Sequence, residues 1–232
     1  MIDMKKYKTF LFDFDYTIVD SSKGIVICFN EALKKIGQHT CTPLAIKKTI
    51  GASLEESFVE LSKINSKVIY DKFRNEFINL SNQYMVENSK VYNNVEDLFK
   101  WIKYRNCNVG IVSSKDKKTI SKIIKKNNLR KYVDIIIGEN IQIEPKPSKE
   151  SIENALAKLN STQHEALYIG DCLIDAEAAQ NANVDFFAVL TGTTNYNDFY
   201  TSGYDIKKCF NSIRDILHYF NCEGDNDAKK NC

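Results

Sequence analysis

The chain has 232 residues, of which 43% are hydrophobic and 27% charged, and its formal net charge is +2. That balance is ordinary for a soluble globular protein and supplies no overall field to recruit nucleic acid or a membrane surface. No stretch approaches the ~20 apolar residues needed to cross a bilayer, and the N-terminus lacks the apolar centre of a signal peptide. Seven scattered cysteines with no C-x-x-C pair argue against a disulfide framework or zinc site and for a reducing cytoplasm.

Tyr7 to Phe14 reads as a short buried strand. From Ser21 to about Asn88 the periodicity turns helical. Ile25, Phe29, Ala32, Leu33 and Ile36 give an apolar face that ends at Gly37. Ser53-Leu54-Glu55-Glu56 predicts a capping box that opens a second helix, with a longer amphipathic helix over residues 66–86. After Asn93-Asn94 the elements alternate. Strands are expected at Val109 to Val112, Ile135 to Ile137, Leu167 to Ile169 and Phe186 to Leu190, with helices between them and a last helix near Ile213 to Phe220.

This alternation predicts an α/β fold, a doubly wound parallel sheet with helices on both faces. Residues 1–18 and 91–222 would form the core, residues 19–90 an inserted helical cap, and residues 223–232 a frayed polar tail.

In open parallel sheets ligands bind at the carboxyl ends of strands, so the residues at each strand exit carry weight. Asp13, Asp15 and Thr17 follow the first strand, and a period of two starts them on one side. Ser113 and Ser114 follow the second, Lys146 lies before a later helix, and Asp171 and Asp175 follow another strand. Each alone is commonplace: an Asp-x-Asp turn, a Ser-Ser helix cap, a Lys-Pro, a Gly-Asp turn. Together they are the parts of a phosphoryl-transfer site. Paired carboxylates repel unless a cation or a shared proton compensates, and magnesium prefers such oxygen ligands. One carboxylate can attack phosphorus while a second moves the proton. Ser113 and the Ser114 amide can bind phosphate oxygens, and Lys146 supplies fixed positive charge.

Asp13-Phe14-Asp15-Tyr16-Thr17, Ser113, Lys146 and Gly170-Asp171-Cys172-Leu173-Ile174-Asp175 occur in the order and kind of the four motifs of the haloacid dehalogenase superfamily, which the chain resembles from Lys8 to about Phe220. Asp20-Ser21-Ser22, Gly51-Ala52-Ser53-Leu54 and Val112-Ser113-Ser114-Lys115 resemble its phosphoglycolate phosphatase-like subgroup. The resemblance implies a phosphatase of small phosphorylated metabolites, with Asp13 as nucleophile and Asp15 as general acid/base. Thr17, Ser113, Ser114 and Lys146 would contact substrate. Magnesium would be held by Asp13, Asp171 and the Asp15 carbonyl, with Asp175 orienting metal waters or Lys146. Tyr16 replaces the subgroup's usual glycine, which puts a large ring beside the acid/base and bears on the shape of the entrance. Ile25 and Leu54 stand where the related β-phosphoglucomutases carry His and Arg, which disfavours a mutase.

Other readings are a catalytically silent metabolite- or partner-binding descendant, or a phosphotransferase or pyrophosphatase of the same superfamily. A receiver domain is about half this length, has no helical insertion and carries its phosphoacceptor on the third strand; here that strand leads to Gly138-Glu139. A dinucleotide-binding fold is not supported, because no G-x-G-x-x-G follows a strand and there are only nine glycines. His39, His164 and His218 lie at no strand exit, Trp101 reads as packing, and Lys23, Lys47 and Arg74 could meet a substrate carboxylate but read better as surface cations.

Overall fold

A computed structural model describes residues 4–139 and 144–224. Its centre is a parallel sheet. The strands are β1 (Thr9–Phe12), β4 (Asn108–Asp116), β5 (Ile135–Glu139), β6 (Ala166–Gly170), β7 (Asp185–Val189) and β8 (Ile206–Phe210), in the order β5-β4-β1-β6-β7-β8. The first strand lies inside, paired to β4 through Thr9↔Asn108 and to β6 through Thr9↔Ala166. A strand covered on both faces reads as an unbroken apolar run rather than an alternation, and every residue of β1 is buried.

Helices α5 (Val95–Tyr104), α6 (Lys117–Lys126) and α10 (Ile213–Gly224) cover the face that receives Phe10 and Phe12. There Phe12 meets Phe99 at a ring separation of 5.2 Å and Phe10 meets Phe220 at 5.5 Å. Helices α7 (Glu150–Lys158) and α8 (Leu173–Asn181) cover the other face, with Leu11, Tyr168 and alanines of α8 in one cluster. Trp101 packs as expected, edge-on to Phe10 and against Phe220.

Between the first and second core strands lie α1 (Ser22–Lys35), α2 (Pro43–Lys48), α3 (Leu54–Ser62) and α4 (Lys67–Tyr84). The chain leaves the core through β2 (Val19–Asp20) and returns through β3 (Lys90–Val91), an antiparallel pair with Val19 opposite Val91 and Asp20 opposite Lys90. The capping box at Ser53 and Glu56 forms as the sequence predicts. These helices are joined by rings: Phe73 lies 4.8 Å from Phe29 and 4.7 Å from Phe58.

The structure corrects several expected elements. The first strand stops at Phe12, so a turn rather than the pleat places Asp13 to Thr17. The second extends through Ser113 to Asp116 with a register shift after Val112. The edge strand β8 and the helices α2 and α9 (Tyr196–Thr201) were not foreseen. Ile206-Lys207-Lys208-Cys209-Phe210 lies at the sheet edge half exposed, so it carries no apolar run. The other two are six residues each, too short to show a helical period. Of the expected frayed tail, residues 223–224 belong to α10 and residues 225–232 lie outside the described residues. No helix among the described residues is long and apolar enough to cross a membrane. The six described cysteines are free thiols, and His39, His164 and His218 are exposed.

Candidate active site

The turn after β1 is closed by Ile18 and Val19 amides, both donating to the Phe14 carbonyl. Tyr16 sits in it with φ 59°, a left-handed conformation costly for any residue but glycine and asparagine-like side chains. The Thr191 hydroxyl holds the turn by donating to the Tyr16 carbonyl. The Tyr16 ring is buried beside Ser22 rather than set in the entrance, and burial pushes its phenol up to about 12.

The turn sends its two aspartates in different directions. Asp13 faces Lys146, whose Nζ donates to Asp13 Oδ1 at 2.7 Å and to Asp175 Oδ1 at 2.6 Å. All three are nearly sealed from solvent, at 2%, 3% and 0% exposure for Asp13, Lys146 and Asp175. Asp15 instead accepts from the Ser21 hydroxyl and pairs with Lys115 Nζ at 3.0 Å. Its carboxylate is not part of the Asp13 group.

At the exit of β6, Asp171 accepts from Thr17 Oγ1 at 3.0 Å. Asp175, in the first turn of α8, accepts through Oδ2 from the backbone amides of Asp171 and Cys172 at 3.2 and 3.3 Å. Thr17, expected on substrate, spends its hydroxyl proton on the contact with Asp171. Oxygens of Asp13, Asp171 and Asp175 lie within 4.8 Å of one another. Asp13 Oδ2 is buried and has no hydrogen-bond partner among the described residues. Such a donor set fits a hard divalent cation, because its oxygens carry excess negative charge and one of them is unsatisfied. Gly192 keeps the space: a Cβ there would come within 2.0 Å of Asp171 Oδ2.

The electrostatics follow from burial. Desolvation pushes Asp13 up to about 7 despite Lys146, with Asp175 and Asp15 adding repulsion. Asp171 is raised well above the usual carboxylate range by burial first and then by Asp175 and Asp13. Burial alone would lower Lys146, but Asp13 and Asp175 outweigh it and hold the ammonium protonated. The site therefore carries more buried acid than base, a condition that a proton or a cation must relieve.

Ser113 and Ser114 both reach the site from β4. The Ser113 hydroxyl accepts from the Lys115 amide at 3.3 Å, and the Ser114 hydroxyl donates to the Gly51 carbonyl of the helical insertion at 3.2 Å. Sequence reasoning missed three residues here. Lys115 is two residues beyond Ser113 and so on the same side of a continued strand, a signal that was available. Tyr168 was not detectable, since a strand-interior tyrosine reads as packing. Its hydroxyl lies 3.3 Å from Lys146 Nζ, 3.0 Å from Asp175 Oδ1 and 3.1 Å from the Val112 carbonyl. Ser21 read only as the start of a helix. Cys172 is a helix-start residue with Sγ 3.0 Å from Asp175 Oδ2, and burial raises its thiol well above the ordinary value.

Above these groups a cavity of about 90 Å³ opens between the sheet and the helical insertion. Asp13, Asp15, Ser113 and Lys115 line its floor, and Ile25, Phe29, Ile50, Leu54, Phe77 and Met85 its roof. Arg74 of α4 lies 3.5 Å from Glu139 at the end of β5 and ties roof to floor.

The class of protein follows from a parallel sheet whose strand exits gather buried carboxylates around one lysine beneath a helical layer, together with the chain's relatives. The chain belongs to the haloacid dehalogenase-like hydrolases, whose family pattern it matches over residues 10–189. It is 29% identical over 194 residues to a phosphoglycolate phosphatase of Aquifex aeolicus, covering 82% of this chain and 88% of that one. With a pyrophosphatase PpaX of Listeria innocua it shares 32% identity over 178 residues, 76% of this chain and 80% of the relative. A haloacid dehalogenase-like hydrolase of Bacteroides fragilis superposes with a TM-score of 0.86 at 33% identity, over 90% of this chain and 99% of that one. This protein is thus a hydrolase of the phosphatase type, similar to the phosphoglycolate phosphatase-like members.

Proposed function

We propose that this protein hydrolyses small phosphomonoesters in a magnesium-dependent reaction that passes through a phosphorylated Asp13. The observation that carries the reading is the Asp13 carboxylate, grouped with Asp171 and Asp175: one oxygen is held by Lys146 and the other is buried and has no partner among the described residues. An acid kept in that state has an oxygen for an electrophile, with Lys146 beside it and an excess of buried carboxylate that a cation would offset.

Asp13 attacks phosphorus, and the bond to the leaving oxygen breaks as that oxygen takes a proton from Asp15. Ser113 and the Ser114 amide bind phosphoryl oxygens, and Lys146 offsets the charge spread over them. Asp15, now ionised, takes a proton from water as the water attacks phospho-Asp13, which releases phosphate and restores the carboxylate. Lys115 and Ser21 hold the Asp15 side chain in place at the cavity floor. Magnesium, held by Asp13, Asp171 and the Asp15 main chain, would neutralise charge between nucleophile and phosphate. Asp175 and Tyr168 fix Lys146. Residues 19–90 act as the cap that excludes water.

Incubation of the purified protein with magnesium and p-nitrophenyl phosphate tests this. Turnover should appear, vanish in Asp13→Asn, vanish with a chelator, and fall about a hundredfold or more in Asp15→Asn. Hydrolysis that survives in Asp13→Asn would overturn the assignment.

A further inference from the structure

The cavity above Asp13 and Asp15 is far more apolar than the phosphoryl chemistry below it requires. Every cation lining it among the described residues is already paired. Lys115 is bound to Asp15 at 3.0 Å. In the adjoining space toward Lys146, Arg74 faces Glu139, and Lys67 lies 3.5 and 3.4 Å from Glu55 and Asp71. Two further carboxylates, Asp116 and Glu139, line the cavity itself. A leaving group with a carboxylate or a second phosphate would enter this space with no unpaired cation among the described lining residues to meet it, and would lose its hydration in doing so.

We propose that the site selects phosphomonoesters whose leaving group is uncharged and mainly apolar, in preference to those carrying a second anionic group; this deepens the phosphatase reading and rests on it. The apolar space of about 90 Å³ takes a short aliphatic chain and shares Leu54, Ser113, Ser114 and Glu139 with the larger space beside it. One neutral polar atom is also provided for. Ser81 lines the cavity and is buried, and its hydroxyl has only the weakly bonding Cys28 thiol beside it. A hydroxyl or carbonyl at the far end of the leaving group would satisfy it.

The test compares butyl phosphate with phosphoglycolate on the magnesium-loaded full chain, with butylphosphonate and phosphonoacetate as uncleaved counterparts measured by calorimetry. Butyl phosphate should show a kcat/KM about tenfold higher or more, and butylphosphonate should bind tighter by a similar factor. Leu54→Arg places a cation at the cavity edge and should shift both ratios at least about tenfold toward the anionic member. An equal or inverted ratio in the wild-type protein overturns the proposal, as does a ratio that Leu54→Arg leaves unmoved. If neither ester is cleaved but butylphosphonate binds preferentially, the ligand class stands and the hydrolytic reading falls. If both are cleaved and the glycolate ester is preferred, the reverse holds.

Discussion

The floor of the cavity is held by directed contacts: Lys146 on Asp13 and Asp175, Thr17 on Asp171, Ser21 and Lys115 on Asp15. Its roof is held by ring and aliphatic packing, Phe29 on Phe73 and Phe77 with Ile25 and Leu54 alongside. A hydrogen-bonded network tolerates few substitutions, because each partner left alone is a buried unsatisfied group. An apolar wall tolerates many, provided that volume is kept. Change is thus costly in the floor, where the proposed chemistry lies, and cheap in the roof, where the proposed selectivity lies.

The largest effect should come from breaking the floor. Lys146→Met leaves Asp13 and Asp175 facing each other without their cation, so the metal-free protein should lose about 4 kcal/mol in urea unfolding. Turnover should fall at least about a hundredfold. A loss under about 1 kcal/mol would mean the floor is not the rigid half.

Breaking the roof should cost somewhat less and remain local. Phe73 is fully buried between Phe29 and Phe58, and Phe73→Ala should remove about 3 kcal/mol. Hydrogen exchange should then rise in α1 and α4 while β1 and β6 keep their protection; uniform loss would show the two halves to be one cooperative unit.

The smallest effect sharpens the electrostatic contrast. The Asp13 carboxyl is raised in the folded protein, so its contribution is fully present below its unfolded value near 4 and is lost as pH rises through about 7. The metal-free protein should therefore lose on the order of 2 kcal/mol at this site between pH 5 and 8. Magnesium should raise Tm more at pH 8 than at pH 6. A gain independent of pH would disprove proton–metal competition at Asp13.

Much of the floor was legible because acids, hydroxyls and a lysine fell where apolar runs end. Asp13, Asp15, Ser113, Lys146, Asp171 and Asp175 were all named from that pattern, and the structure brings each to the cavity or to the cluster beneath it. What escaped was geometry within the turn. Nothing in the order Asp13-Phe14-Asp15 says that the strand stops at Phe12 and that the two carboxylates part. Tyr168 and Gly192 act through distances set by elements remote in the chain, which no local spacing records. Periodicity marked the helices of the insertion, but which apolar residues face the cavity and which face their neighbours depends on how those helices pack. Arg74 read as a surface cation until the end of β5 was seen opposite it.

The antiparallel pair β2–β3 has an architectural consequence. Because Val19 lies opposite Val91 and Asp20 opposite Lys90, the outgoing and returning chain run side by side, as in the stem of a hairpin. To the sheet, everything from Ser21 to Ser89 has the footprint of a tight loop. Loop-closure entropy grows only slowly with length, and here the ends are already pinned together. The helical layer can therefore lengthen, shrink or be exchanged for another without disturbing the strand register beneath it.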